Sequence, residues 1–235
     1  MKYKPFEHGR IALLSGSLLF LTACATTQRA PIEDKTAICN FLGSYCNKLQ
    51  PGGEGQMDLR YVNSKARWTQ YTKVLVDPVI IVSSTESQIS AADQQHLADY
   101  FYAKLKENLG AKFQLVDQPG PGAMRLQVAL TDAQGATPVL RTITMAVPQA
   151  RTLSTVAYLA TGSYPFVGSA KGAAKVVDSV SGDLLAAVAD RQIGSGHIKA
   201  AAQWTLGDAE NAITLWTERA ANKLYAWTSG AEAPR

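Results

Sequence analysis

The clearest pattern in the chain is a set of apolar residues that recur at every fourth position. They are Leu97, Phe101, Leu105 and Leu109. Side chains four residues apart lie on one face of an α-helix. Ser90, with Asp93 three residues later, forms a capping-box-like start, and Gly110 provides an end signal. The pattern therefore predicts an amphipathic helix between Ser90 and Gly110.

A second helical stripe lies near the end of the chain, between Gly207 and Gly230. Its apolar members are Ala209, Ala212, Ile213, Trp216, Ala220, Leu224 and Trp227. The spacing again matches one face of a helix, so the chain is predicted to close with a second amphipathic helix.

Strand-like alternation occupies much of the remaining sequence. It begins near Tyr71 and continues to Val82, with Pro78 indicating an edge position or a bulge. Residues 112–117 and 125–130 flank a turn-rich segment and predict one hairpin. Residues 174–180 and 184–190 predict another, around Ser181, Gly182 and Asp183.

Together these elements predict an α+β fold. A mainly antiparallel sheet with the two amphipathic helices packed on one face would bury every apolar surface. The predicted divisions are residues 1–23, 24–34, 35–230 and 231–235: a signal peptide, a flexible tether, a single domain and a C-terminal tail.

The first 23 residues have the pattern of a secretory signal. Lys2, Lys4 and Arg10 precede an uncharged apolar run over residues 11–20, which is too short to span a bilayer. The run is followed by Leu21, Thr22, Ala23 and Cys24, which resemble the lipobox of bacterial lipoprotein precursors. The resemblance implies cleavage before Cys24 and lipidation of its thiol. The alternative is a chance cysteine after an uncleaved membrane anchor.

The residue after Cys24 bears on the destination of the protein. In enterobacterial lipoproteins an Asp at this position retains the protein in the inner membrane, whereas this chain has Ala25. The resemblance thus implies outer-membrane anchoring with the domain facing the periplasm, and inner-membrane anchoring is the alternative. Two or three acyl chains suffice for a stable anchor.

Removal of the signal also changes the charge balance. The chain has 23 basic and 19 acidic residues and a formal net charge of +4. Three of the basic residues and one acidic residue, Glu7, precede Cys24, so half of the net charge leaves with the signal. A near-neutral domain gives no electrostatic case for nucleic acid as a partner.

Two cysteines, Cys39 and Cys46, remain after lipidation of Cys24. In an oxidising compartment we expect them to form a disulfide. Two helical turns would separate them by about 10 Å, beyond disulfide range, so the bond requires a bend that Gly43 can supply. The alternative is two small buried thiols, and a metal site is disfavoured because no His or acidic residue lies beside the pair.

An uncharged segment over residues 152–170 invites a second membrane interpretation. Its Ser, Thr, Gly and Pro content argues against insertion and favours a helix or loop that covers the domain.

Catalytic motifs are absent from the sequence after Cys24. It has neither Gly-x-Ser-x-Gly nor Ser-x-x-Lys, and neither His-x-x-x-His nor Cys-x-x-Cys. His96 is expected on the polar side of its helix, and His197 follows a Gly-Ser-Gly turn. Asp178, Asp183 and Asp190 on the second hairpin could do acid–base work, but a solvated hairpin edge is the favoured explanation. No cofactor is predicted.

Several short motifs occur along the chain after Cys24. Their residues are Phe41, Leu42, Gly43, Tyr45, Leu49, Pro51, Gly52, Arg60, Tyr61, Trp68, Tyr71, Val74, Val76, Asp77, Pro78, Val79, Asp178, Gly182, Asp190 and Arg191. Together these motifs resemble an uncharacterised family of Gram-negative lipoproteins, known as a domain of unknown function. The likeness also covers the Trp and Ala pattern of the last helix but not Cys39 and Cys46. It implies a periplasm-facing lipoprotein and transfers no activity. The fold it suggests is similar to that of small α+β lipoproteins that assist envelope transport, by analogy alone.

The function expected from these observations is non-catalytic: an envelope protein that binds another envelope protein or component and attaches to the membrane through Cys24. The alternative is an envelope hydrolase with a site near His197 and the hairpin that carries Asp178 and Asp190.

Overall fold

One mixed β-sheet organises the domain in a computed structural model that describes residues 27–82, 89–134, 168–194 and 206–235. Its main strand order is β2-β3-β9-β8-β7-β4-β6; in addition β1 pairs with β9 and β5 with β7. The strands are β1 (Thr27–Arg29), β2 (Gln50–Pro51), β3 (Leu59–Val62), β4 (Lys73–Val76), β5 (Ile80–Ile81), β6 (Gln114–Leu115), β7 (Ala123–Gln134), β8 (Ser169–Asp178) and β9 (Leu184–Gly194). Most pairings are antiparallel, and those among β4, β5, β6 and β7 are parallel. The predicted α+β class is confirmed.

Two long helices pack on one face of the sheet, as predicted. We label them α2 (Ala91–Gly110) and α3 (Gly207–Thr228), after the short helix α1 (Thr36–Leu42). Ser90 caps α2, because its hydroxyl oxygen accepts a hydrogen bond from the Asp93 amide at 3.1 Å. The buried residues of α2 include all four predicted positions, and those of α3 include six of the predicted seven, with Ala221 in place of Ala220.

The two helices run in the same direction. His96 contacts Glu210, Tyr100 contacts Thr214, and Asn108 contacts Thr217, each at 3.0 Å. The Phe101 and Trp216 rings stack between them with centroids 6.0 Å apart. Residues further along α2 contact residues further along α3. The two helices are therefore parallel and form one layer over the sheet.

The opposite face of the sheet has its own cover, which the sequence patterns did not indicate. Ile38 and Leu42 of α1 are buried against Ala173, Val177 and Ala187 of the sheet, among other residues. A 3-10 helix (Gly43–Lys48) continues from α1. A seven-residue helix is too short to show a helical period, so this layer had no sequence signal.

One of the two predicted hairpins is confirmed. Strands β8 and β9 pair antiparallel around the predicted turn, where Gly182 adopts φ 77°. A register shift between Val176 and Val177 leaves Leu185 as an extra residue. This bulge lets Leu185 and Ala186 both join the core beneath α2 and α3.

The other predicted hairpin, between residues 112–117 and 125–130, is wrong. Strand β6 pairs with β4, and β4 lies between β6 and β7, all three in parallel. Helix α2 carries the chain across the face of the sheet from β4 to β6, which is the connection that parallel pairing requires. The turn-rich segment that follows β6 then crosses past β4 and leads into β7 on the other side of β4.

Pro78 occupies the irregular position that its ring chemistry predicts. Val76 pairs with Leu126 and Ile80 with Ala129, so four steps on one strand match three on the other. The extra residue at this point is a bulge between β4 and β5. Because a proline has no amide hydrogen, the missing ladder bond falls where pairing is already interrupted.

The predicted tether over residues 24–34 is corrected by the structure. Residues Thr27–Arg29 form β1, and Thr27 pairs with Gly194 at the end of β9. Ala30 and Ile32 are buried, and the Ile32 amide donates to Asp58 at 3.0 Å. The domain therefore includes residues 27–34 rather than starting at residue 35, because Ala30 and Ile32 within this mostly polar segment are buried.

Cys24, His197 and most of the uncharged segment 152–170 lie outside the described residues. The described end of that segment, Ser169 and Ala170, begins β8. Among the helices of the described ranges, none is long and apolar enough to cross a membrane.

Candidate functional site: the helix–sheet cavity

The predicted disulfide is present between Cys39 and Cys46. The two Cα atoms are 5.1 Å apart, within the range for a disulfide. The chain bends at Gly43, where φ is 61°, so that α1 ends and the 3-10 helix begins. The bond ties these two short elements together on the α1 face of the sheet and is structural.

His96 does not lie in a site for acid–base chemistry. It is more than half exposed and contacts Glu210 at 3.0 Å, which links α2 to α3 at the surface. This agrees with its expected position on the polar side of the helix.

Asp178 organises the hairpin turn. Its carboxylate accepts hydrogen bonds from the amides of Val180 and Ser181, and from the Tyr71 hydroxyl at 2.9 Å. Burial raises the pKa of Asp178, but the hydrogen bonds from Ser181, Val180 and Tyr71 outweigh it, so the pKa is lowered overall. Every one of these bonds serves the turn or its packing, so two of the family motifs, around Tyr71 and Asp178, meet in a structural contact.

Asp190 is a buried carboxylate, only 3% exposed, between the sheet and α3. It accepts hydrogen bonds from the Trp216 indole at 2.8 Å, the Gln192 amide group at 2.6 Å and the Asp58 backbone amide at 2.9 Å. Burial is the largest effect and raises its pKa, while these bonds act in the opposite direction. Because all three donors belong to the protein, Asp190 has a structural role in the packing of α3 on the sheet.

The acidic residues of this hairpin are not brought together. Asp190 lies opposite Gly172, six residues along β8 from Asp178. At about 3.3 Å per residue the separation is roughly 20 Å, well beyond the 5–9.5 Å used by paired glycosidase carboxylates. Asp183 is exposed and accepts from the Ser181 hydroxyl. The described residues also contain no cluster of three His, Cys, Asp or Glu side chains placed to hold a metal.

A cavity of about 650 Å³ lies between the C-terminal half of α3 and the sheet. Two aromatic contacts of α3 lie on either side of this cavity. Near the middle of the helix the Trp216 ring covers Gly172, where an added Cβ would lie 3.3 Å from the ring. Near its end Trp227 packs on Trp68, with centroids 4.9 Å apart. Between these points Ala174, Ala186 and Ala220 face one another, and such small side chains leave the space open.

Strand register explains the apolar floor of this helix–sheet cavity. One row across four strands contains Leu126, Val176, Ala186 and Val62. The next row contains Ala174, Val188 and Arg60. Leu224 and Trp227 of α3 form the roof. The cavity is thus mainly apolar and within the size range of small-molecule sites.

The rim of the cavity is charged. Its charged members are Glu54, Arg60, Arg219, Lys223, Glu232 and Arg235. Lys223 pairs with Glu232 at 2.9 Å, and this ion pair lowers the pKa of Glu232. Arg60 donates to the Gln56 side chain at 3.1 Å and to the Arg235 carbonyl, so the C-terminal tail, residues 231–235, contacts the cavity rim.

Two features of the lining bear on its chemistry. No histidine, cysteine, serine, threonine or tyrosine lies among the described residues that line it. The indole N–H of Trp227 is buried, with no hydrogen-bond acceptor among the residues that the structure describes. The lining therefore suits binding of a ligand and offers no nucleophile with a neighbouring base.

Sequence reasoning did not find this cavity. Its lining comes from β3, β7, β8, β9, α3, the C-terminal tail and the loop over residues 54–57, and its floor is mainly alanine and valine, which ordinarily indicate core. Ala220 follows the apolar stripe of α3 in the sequence, but in the structure its side chain is only half-buried.

The fold and the cavity together define an α+β domain with a ligand-sized cavity beneath its C-terminal helix. The chain belongs to the family described as a protein of unknown function (DUF3313), which matches residues 38–220. This confirms the predicted membership in a family without an assigned activity. No functionally curated protein matches the sequence.

Three solved structures illustrate the similarity to known folds. A PelC dodecamer from Paraburkholderia phytofirmans is 12% identical, covers 71% of this chain and 94% of its own, and has a TM-score of 0.40. Protein XCC0632 from Xanthomonas campestris, of family DUF330, is 12% identical, with coverages of 73% and 95% and a TM-score of 0.38. A homolog of the neuraminyllactose-binding hemagglutinin from Helicobacter pylori is 13% identical, with coverages of 78% and 98% and a TM-score of 0.37. Similarities at this level assign no activity or partner to this chain.

Proposed function

We propose that this protein is a non-catalytic component of the cell envelope, anchored to the outer membrane through a lipid on Cys24, which binds an apolar ligand in the helix–sheet cavity. The observation that carries the binding role is the cavity itself, with its apolar floor and open, charged rim. The anchoring part rests on the lipobox-like sequence that ends at Cys24.

Two observations favour binding over hydrolysis. The cavity lining lacks the usual nucleophiles and histidine among the described residues. In addition, Asp178 and Asp190 are too far apart to act as a pair, and each is committed to hydrogen bonds within the fold. No observation on the described residues favours the hydrolase alternative.

The binding role can be tested by filling the cavity. The full-length protein in phosphatidylcholine nanodiscs would be exposed to a 16-carbon alcohol that carries a photoreactive diazirine, and labelled peptides would be identified by mass spectrometry. Labelling is expected on β8, β9 and α3. Ala220→Trp places a large ring at the cavity wall and should reduce this labelling several-fold.

Ala103→Trp is the matched control, because Ala103 is an exposed alanine on α2 that does not line the cavity. Circular dichroism would confirm that both variants fold. Equal labelling of the wild-type protein and Ala220→Trp, or no labelling of the cavity peptides at all, would contradict the proposed binding role.

The anchor is tested separately by Cys24→Ala. We expect this variant to be either uncleaved or released from the membrane, because the substitution removes the thiol that would carry the lipid; processing and membrane fractionation measure the two outcomes. Ala25→Asp should instead direct the protein to the inner membrane of an enterobacterial host. Processing and fractionation identical to wild type for both variants would rule out the lipoprotein assignment.

We also propose that the anchored protein works with another envelope component. Affinity capture of the lipidated protein from crosslinked envelopes tests this, with the Cys24→Ala protein as the background sample. Recovery of no envelope component above that background would contradict an accessory role.

A further inference from the structure

We propose that the helix–sheet cavity binds an anionic amphiphile, with its hydrocarbon chain on the sheet floor and its acidic group between Arg219 and Lys223. This inference rests on the proposed binding function and specifies the chemistry of the ligand.

The hydrocarbon part is indicated by the cavity floor. The strand rows described above place Leu126, Val176, Ala186 and Val62 side by side, with Ala174 and Val188 in the next row. An elongated apolar surface of this kind favours burial of an alkyl chain through the hydrophobic effect.

The acidic group is indicated by the charges on α3. Arg219 and Lys223 are four residues apart, so they are neighbours on one face of the helix, and both line the cavity. Two like charges at this spacing destabilise a helix. Within the described ranges no carboxylate pairs with Arg219, so an anionic ligand group can pair with this guanidinium.

Lys223 provides the second, independent indication. The protein itself places a carboxylate there, because Glu232 of the C-terminal tail lies 2.9 Å from the Lys223 ammonium group. An anion therefore fits at this point of the rim. Because the Lys223 side chain is 50% exposed and that of Glu232 35%, the net contribution of this ion pair to stability is small, and a ligand carboxylate or phosphate can compete with Glu232.

A free fatty acid and an anionic monoacyl phospholipid share this chemistry. The experiment uses the full-length protein in phosphatidylcholine nanodiscs and two photoreactive probes with the same 16-carbon diazirine chain, one a carboxylic acid and the other an alcohol. We expect the acid to label β8, β9 and α3 roughly tenfold more strongly than the alcohol, because a charge-assisted hydrogen bond is made only by the acid.

Variants then test the assigned residues. Arg219→Gln should remove most of the preference for the acid, a change of about tenfold, and leave labelling by the alcohol unaltered. Arg67→Gln is the matched control, since Arg67 is exposed and does not line the cavity. Glu232→Gln removes the competing carboxylate and should increase labelling by the acid about threefold.

The results separate the two levels of the proposal. Equal labelling by acid and alcohol, with no effect of Arg219→Gln, would overturn the anionic ligand while leaving an apolar binding site. No cavity labelling by either probe would overturn the proposed binding function as well. Where the acid is preferred, competition by unlabelled palmitate or by palmitoyl lysophosphatidylglycerol identifies the source of the anion, with palmitoyl lysophosphatidylcholine as the zwitterionic control.

Discussion

Two adjacent glycines in the loop between β2 and β3 differ in the space around their α-carbons. A Cβ on Gly52 would lie 1.9 Å from the Met57 carbonyl oxygen, whereas a Cβ on Gly53 would meet nothing closer than 3.8 Å. Gly52→Ala should therefore lower the free energy of unfolding by about 1–3 kcal/mol, because the backbone must move. Urea unfolding measures the effect. Gly53→Ala is the control, and equal destabilisation by the two substitutions would refute the steric explanation.

Asp190 gives a prediction about pH. Burial raises its pKa in the folded protein above the ordinary value of 3.8. Between these two pKa values the folded state binds more protons than the unfolded state, so this residue makes the unfolding free energy decrease as pH rises through that interval. Asp190→Asn removes the titration and with it this decrease.

The measurement is urea unfolding of wild type and Asp190→Asn across about pH 4 to 7. Wild type should lose stability relative to the variant as pH rises, whatever constant offset the substitution introduces. Asp183→Asn, at an exposed site on the same hairpin, controls for a general charge effect. Parallel pH profiles for wild type and Asp190→Asn would contradict the assigned shift.

Individual residues were predicted well where their signal is local. Ser90 caps its helix, and Gly43 supplies the bend that a disulfide between Cys39 and Cys46 requires. The grouping of Asp178 with Asp190 failed because sequence proximity on a hairpin does not imply proximity in space. Residues on different strands approach only through register, which the sequence did not reveal.

At the scale of elements, the disulfide stabilises the two short helices that cover one face of the sheet. It closes a short loop that joins α1 to the 3-10 helix, and Ile38 and Leu42 of α1 pack on the sheet. Reduction should lower the free energy of unfolding by about 2 kcal/mol, because the unfolded chain regains loop entropy.

Urea unfolding with and without dithiothreitol tests this prediction. A double variant, Cys39→Ala with Cys46→Ala, should resemble the reduced protein and should not respond to dithiothreitol. An unchanged unfolding midpoint for the wild-type protein on reduction would show that the bond does not stabilise the domain.

The elements that could be predicted are those whose sequence signals lie within the element itself. Helices α2 and α3 and the β8–β9 hairpin carry their own periodicity, caps or turn residues. Strand β6 has two residues, and its partner β4 lies across the whole of α2 in sequence. Nothing in residues 112–117 distinguishes a parallel partner from an antiparallel one, so the predicted hairpin with the nearest apolar segment is wrong.

At the scale of the whole molecule, the position of β1 limits how far the domain can lie from its proposed anchor. Cys24 is three residues before Thr27, which pairs with Gly194. Three residues span at most about 10 Å. If Cys24 carries a lipid, this end of β9 must lie close to the bilayer. The turn around Gly182, at the other end of β9, lies roughly 33 Å away along the strand.

This geometry predicts unequal quenching of two fluorophores in vesicles that contain a lipid with a quenching head group. A fluorophore on Arg29→Cys should be quenched more strongly than one on Ser181→Cys, because Arg29 pairs with Gln192 near the anchored end of β9. Labelling without reductant preserves the native disulfide. The same two sites in a Cys24→Ala background should lose the difference, since the domain would no longer be held at that end. Equal quenching in the lipidated protein would mean that the sheet is not oriented by its anchor, so the binding cavity would have no fixed position relative to the membrane surface.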